Sequence, residues 1–328
     1  MNRIYLALVL ASLSGSLVFA QETSADQKVG MTGADFLSIG VGARAAGLGE
    51  AYVALANDAS AVFWNPAGLT RNEGGGAFAS YTQWPADIVF SAAAVAFDAG
   101  GIGKVAVHYL GMQMGQMRMR TPFSPDGTGE MFSYGSTAAG ISWARSLTAG
   151  FGLGFNLKYI RESAYTISSQ GWAIDIGSIF DTGWRGMKIG MAMTNFGPDI
   201  AFDGTYSKWS DVEEPGVTTD FESYALPMAF RFGATVDVMR IDASGIAVVL
   251  VADAVHPPDN VETYNFGLEL TVLQMLNVRA GYRMGVDEGG LTAGAGVNVP
   301  FLNASADIAY STFGLLGSVM NTSLSLNF

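Results

Sequence analysis

Residues 151–159 read Phe-Gly-Leu-Gly-Phe-Asn-Leu-Lys-Tyr. Phe151, Leu153, Phe155, Leu157 and Tyr159 alternate with Gly152, Gly154, Asn156 and Lys158. A period of two marks a β-strand with one large apolar face and one small or polar face. In a soluble sandwich the apolar face is the core and the polar face meets water. In a closed membrane barrel the apolar face meets lipid and the polar face lines a lumen. The glycines favour the barrel, because side chains inside a closed sheet must leave room.

The same pattern recurs outward along the chain. Met228, Phe230, Phe232, Ala234, Val236 and Val238 alternate with Ala229, Arg231, Gly233, Thr235 and Asp237. Tyr264 to Thr271 and Val278 to Met284 repeat it. From Gly74 to Phe328 the chain is a train of such segments, each about ten residues long, which is the signature of transmembrane strands. We expect strands to begin near residues 75, 87, 102, 132, 150, 170, 187, 226, 244, 261, 275, 290, 303 and 318. That is about fourteen, an even number as in bacterial single-chain barrels. Short turns (99–101, 145–149, 181–186, 240–243, 273–274, 300–302) and long connections (113–131, 162–169, 196–225) fall at alternate positions, as on the two rims of such a barrel. Trp143, Tyr159, Trp172, Tyr264, Tyr282 and Tyr310 fall near strand ends, where an interfacial girdle would place them. Leu324 to Phe328 resembles the C-terminal signal of bacterial outer-membrane proteins.

Composition agrees. Charged residues are 14% of the chain, against ~25% in globular domains, too few to cover a soluble surface. With no cysteine there is no disulfide, thiol chemistry or lipoprotein anchor. A net charge of -12 argues against a nucleic-acid partner. Arg3, the apolar run Ile4 to Leu13 and Val18-Phe19-Ala20 read as a secretory signal over residues 1–20. The expected organisation is a signal (1–20), an N-terminal plug of short helices inside the lumen (21–73) and the barrel (74–328). The expected location is the bacterial outer membrane, in contact with its lipids.

The segment 33–69, GADFLSIGVGARAAGLGEAYVALANDASAVFWNPAGL, breaks the strand pattern and suggests the plug. Arg44, Glu50 and Asp58 are expected to pair with inward charges of the barrel. Those inward charges are Lys104, Lys158, Asp175, Lys188, Arg231, Asp237, Glu269, Arg279, Arg283 and Asp307. They either hold the plug or line a conduit. Loop lengths place the plug at the periplasmic end, with Asn65-Pro66-Ala67 as the hinge into the first strand. The connection 196–225 carries Tyr206, Trp209, Asp211, Glu213, Glu214 and Phe221, acids interleaved with aromatics, and is a candidate partner-binding surface. Met112, Met114, Met117 and Met119 form a second candidate apolar surface. No enzyme is expected. His108 and His256 lack metal-ligand companions, and no nucleophile elbow, phosphate loop or dinucleotide fingerprint is present, so neither a metal nor a cofactor is anticipated.

The plug segment resembles the N-terminal signature of the PorV/PorQ family of FadL-like outer-membrane barrels. The matching elements are Gly33-Ala34-x-Phe36-Leu37, Gly42-Ala43-Arg44, Gly47-Leu48-Gly49-Glu50-Ala51, Asp58-Ala59 and Trp64-Asn65-Pro66-Ala67-Gly68. Asn-Pro-Ala is shared with FadL, where it lies in the hatch of a fourteen-stranded barrel. The resemblance implies a component of type IX secretion that carries exported proteins with C-terminal sorting domains from the translocon to the attachment machinery. The alternative it implies is FadL-type uptake of small hydrophobic molecules through a rearranging hatch and a lateral wall opening.

Overall fold

The computed structural model describes residues 30–206, 218–241, 245–287 and 289–328. The expected signal, the start of the expected plug segment and Trp209, Asp211, Glu213 and Glu214 lie outside the described residues. Among the described residues, fourteen antiparallel strands close into one barrel. They are β1 (Gly76–Trp84), β2 (Ile88–Asp98), β3 (Lys104–Gln113), β4 (Tyr134–Ser146), β5 (Phe151–Ala164), β6 (Ile167–Asp181) and β7 (Lys188–Phe196). The second half comprises β8 (Ala229–Ile241), β9 (Ile246–His256), β10 (Thr263–Val272), β11 (Leu276–Met284), β12 (Leu291–Val299), β13 (Ala304–Thr312) and β14 (Ser318–Asn327). Closure comes from β14 pairing with β1, with Gly76 opposite Asn327. A closed sheet satisfies every ladder hydrogen bond internally, which lipid cannot do for an open edge. The all-β outer-membrane barrel expected from the alternation is the fold observed.

Facing follows the alternation. Phe155, Leu157, Phe230, Phe232, Phe266 and Leu268 are exposed on the outside, while Asn156, Lys158, Asp175, Asn265 and Glu269 are buried inside. Aromatic pairs brace neighbouring strands outside, as in Tyr159 with Trp172 at 5.0 Å between ring centres. One rim carries the turns 99–103, 147–150, 182–187, 273–275 and 300–303. The other carries the connections 114–133 and 197–228, and we take it as the outer rim.

The long connection expected at 162–169 is instead a hairpin turn of Tyr165 and Thr166, because β5 runs to Ala164 and β6 starts at Ile167. Most of its polar residues are strand positions rather than loop, and two of them, Glu162 and Ser169, face inward and are buried.

Residues 33–73 fill the lumen. They form 3-10 turns at Asp35–Ser38, Ala59–Phe63 and Pro66–Arg71 and one short helix, α1 (Ala43–Gly47). The main buried cluster joins this segment (Phe36, Leu48, Tyr52, Val62, Trp64, Leu69) to inward residues of β1 to β6 (Phe78, Phe90, Leu110, Ile160). The segment also spans the barrel instead of sitting at one end. Gly33 N donates to Ala225 O among the outer connections, while Arg71 pairs with Asp181 at the opposite rim.

Candidate functional site

An irregular segment inside a barrel presents backbone groups that its own helices do not satisfy. The wall supplies their partners. Asp253 Oδ2 accepts from Tyr52 N (2.7 Å) and Val53 N (2.9 Å). Asn156 Nδ2 donates to Val62 O (2.6 Å), and the hydroxyls of Ser323 and Thr292 accept from Ala43 N and Gly49 N. Asn65, fully buried, donates from Nδ2 to Val53 O and to Ser178 O of β6, and its Oδ1 accepts from Ala67 N. Asn65-Pro66-Ala67 is therefore an anchor to the wall and not the expected hinge. Two side-chain contacts from Asn65 and a proline ring leave that peptide no freedom to swing.

Glycines on the inner wall allow this approach. A Cβ on Gly281 of β11 would collide with Gly49 N and Leu48 C, and one on Gly154 of β5 with Pro66 C and Ala67 N. At Gly190 it would lie 2.6 Å from Val53 O. The glycine richness read from the sequence thus has a specific cause: the wall touches the backbone of the lumen segment. Gly281→Val is expected to force that segment off the wall, at an overpacking cost of about 1–3 kcal/mol. In planar bilayers the variant should then show ion conductance that the parent lacks, with heat-modifiable barrel mobility retained. Absence of conductance would mean that the segment accommodates the side chain in place.

Charges expected in the lumen form three groups. In the first, Arg44 of α1 grips Glu269 of β10 with both Nε (2.9 Å) and Nη2 (2.8 Å), a bidentate pair. Arg279 of β11 bonds Glu269 through Nε (2.6 Å) and Asp307 of β13 through Nη1 (2.6 Å). Arg279 reaches over β12 because Gly296 offers no side chain there; a Cβ would sit 2.8 Å from Nη1. In the second, Lys158 pairs with Asp175 at 2.8 Å and also bonds Asn195. In the third, Arg283 pairs with Glu50 at 3.2 Å.

Other charges depart from the expectation. Asp58 pairs with no cation: it caps the turn Ala59–Phe63 through Ser60 N (2.9 Å) and accepts from Ser325 Oγ. Asp237 lies toward the short-turn rim and pairs with Arg240 at 3.1 Å, so it does not line the lumen centre; a register shift at Asp237/Met239 marks that end of β8. Lys104 likewise sits at that rim, bonded to Gly74 O and Asp98. Two buried carboxylates were not among the expected sites. One is Asp253, and the other is Glu162 of β5, which accepts from Tyr134 Oη (2.6 Å), Ser136 Oγ (3.2 Å) and Tyr224 Oη (2.8 Å). Burial pushes the Tyr224 phenol well above its ordinary range, so it stays a proton donor to Glu162. Tyr224 belongs to the outer connection and packs on Gly33, so this cluster ties wall, connection and lumen segment together.

Of the remaining candidates, Tyr206 and Phe221 stack at 5.1 Å between the facing pairs Thr205–Tyr206 and Thr219–Asp220. Met112 packs against the inner cluster, while Met117 sits in a small hairpin opposite Phe132. Among the described residues no group of three or more His, Cys, Asp or Glu is placed to hold a metal ion.

Several concave spaces remain among the described residues. A cavity of about 30 Å³ is lined by Leu37, Ile39, Val62, Phe63, Trp64, His108, Leu110, Lys158, Asn195 and Arg231. A polar vestibule of about 690 Å³ lies at the short-turn rim, lined by Arg44, Asn57, Asn72, Asn277, Asn298 and Asn327. On the outer wall an apolar concavity of about 610 Å³ runs over Ile176, Met191, Met193, Phe230 and Phe232. It lies outside a break in pairing between β6 and β7, where the register shifts between Ile174 and Ile176 and Asn195 takes φ 60°.

No family model matches the chain, and no curated protein does. Solved structures do. The chain is similar to the CymD monoaromatic hydrocarbon channel, with TM-score 0.60 and 14% identity over 88% of this chain and 98% of that one. It is also similar to a FadL homologue of Pseudomonas aeruginosa (TM-score 0.59, 12% identity, 88% and 98% covered). The toluene transporter TbuX of Ralstonia pickettii gives TM-score 0.57 at 12% identity, with the same coverage. At such identity the likeness is one of fold alone: the closed fourteen-stranded barrel is the one these channels have. The narrower PorV/PorQ assignment rests on the plug motif alone.

Proposed function

We propose that the protein is an outer-membrane channel that takes up small hydrophobic molecules past a lumen-filling hatch. The observation that carries this reading is the small cavity above the anchored part of the hatch, lined by apolar Leu37, Ile39, Phe63 and Trp64 together with polar Lys158, Asn195 and Arg231. The fold matches, two of which are described as hydrocarbon or toluene transporters, support it. The route is lateral. The vestibule below is lined by asparagines and arginines and offers an apolar molecule only desolvation cost, whereas the bulged wall at Asn195 is backed outside by an apolar concavity. The carrier function implied by the plug motif rests on that motif alone. The test is influx of radiolabelled toluene into bacterial cells expressing the full chain. Uptake several-fold above cells with empty vector is expected, and equal rates would sink the reading.

A further inference from the structure

The cavity is lined by one cation, Arg231, that forms no ion pair among the described residues, although Glu50 and Asp253 lie near enough to act on its charge. Arg231 of β8 enters it with the guanidinium carbon 5.2 Å from the Trp64 ring centre. Among the described residues it meets no carboxylate and no hydrogen-bond acceptor at bonding distance. The neighbouring acids are engaged except at one atom, Asp253 Oδ1, which is buried without a hydrogen-bond partner among the described residues. Asp253 Oδ2 holds Tyr52 N and Val53 N, Glu50 is taken by Arg283, and Asp175 by Lys158, Asn156 and Asn195. On the opposite side of the cavity, His108 Nε2 is buried without a partner, and its ring stands edge-on to Phe63 at 5.5 Å.

A guanidinium presents a planar fork of donors that matches two oxygens on one carbon. Around it Leu37, Ile39, Val62, Phe63, Trp64 and Leu110 supply apolar and aromatic surface, and Ser38, His108, Lys158, Thr194 and Asn195 supply polar surface. The complement is a flat apolar body with a carboxylate at one end. At about 30 Å³ the cavity as closed has room for roughly two water molecules. Leu37 and Ile39 fill the remaining space, and they lie on a strap that can yield. Between residues 34 and 40 its backbone bonds run only within the strap, Leu37 N to Ala34 O and Ile39 N to Phe36 O. The strap is fastened at its ends, by Gly33 to Ala225 and by Val41 O to Trp64 Nε1.

We propose that this cavity is a binding site for small aromatic carboxylates, in which Arg231 takes the carboxylate and Trp64 and Phe63 flank the ring once Leu37 and Ile39 swing out. The site rests on the uptake reading, since it takes the cavity as the resting place of the substrate.

The test titrates the full chain in detergent with benzoate and with benzamide, its uncharged isostere, following tryptophan fluorescence. Benzoate is expected to bind the parent about tenfold more tightly than benzamide, as a charge-assisted fork requires. Arg231→Met should remove that preference and leave benzamide unchanged, and Arg231→Lys, which keeps the charge without the fork, should fall between. Equal affinity of the two compounds for the parent overturns the proposal without need of any variant. So does undiminished benzoate preference in Arg231→Met with normal heat-modifiable mobility. Toluene influx separates the two readings: benzoate preference without influx leaves the site and removes the uptake function, and influx without the preference does the reverse.

Discussion

Arg279→Met should destabilise the barrel by about 3–5 kcal/mol, read from urea unfolding midpoints in lipid vesicles. The side chains of Arg279, Glu269 and Asp307 are only 3%, 6% and 5% exposed, although all three border the polar vestibule. Glu269 would keep its bidentate bond from Arg44. Asp307 would keep nothing, because Arg279 is its only ion-pair or hydrogen-bond partner among the described residues. The damage is therefore an orphaned carboxylate, and adding Asp307→Asn to Arg279→Met should recover most of the loss. If the double variant is as unstable as the single one, packing of the arginine stem is the cause and the electrostatic account is wrong. Arg44 is the contrasting case: it sits on the lumen segment, so Arg44→Met should loosen that segment while β10 to β13 stay bridged by Arg279.

The same residues show what the sequence could and could not tell. Expected strand starts at 75, 87 and 150 fall within one residue of the observed β1, β2 and β5, because lipid outside and a filled lumen inside enforce a strict period of two. Where polar residues lie inward near the outer rim the reading fails. Glu162, Ser163, Ser168 and Ser169 look like loop, yet they extend β5 and β6, and Glu162 is satisfied by three hydroxyls. Asp253 escaped notice because its inward neighbours on β9, Val251 and Val255, are apolar; its partners are backbone amides of Tyr52 and Val53, about 200 positions away. Asp58 carries a local signal instead, since Asp-Ala-Ser is a capping sequence and the carboxylate accepts from Ser60 N. Pairings such as Arg44 with Glu269 were guessable in kind from inward charge on both elements. The partner was not, since the sequence does not say how deep the segment sits.

A disulfide that fastens the strap should abolish uptake. The hatch has a fixed part and a part free to move. Residues 43–73 are held by Glu269, Asp253, Thr292, Ser323 and Ser178, whereas residues 34–40 roof the cavity without a backbone bond to the wall. Thr32 bridges Ala225 in parallel register, which brings the two Cα atoms within the range a disulfide spans, ~4.4–6.8 Å. The chain has no cysteine of its own, so Thr32→Cys with Ala225→Cys adds the only thiols. Oxidised, this variant should lose nearly all toluene influx, and dithiothreitol should restore it to the parent rate. Each single cysteine variant should transport normally under both conditions, which separates locking from loss of the Thr32 hydrogen bond to Asp259. Undiminished influx in the oxidised protein would mean that the cavity opens without releasing the strap from Ala225. The moving element would then be either residues 34–40 swinging between fastened ends or the wall at the Asn195 bulge.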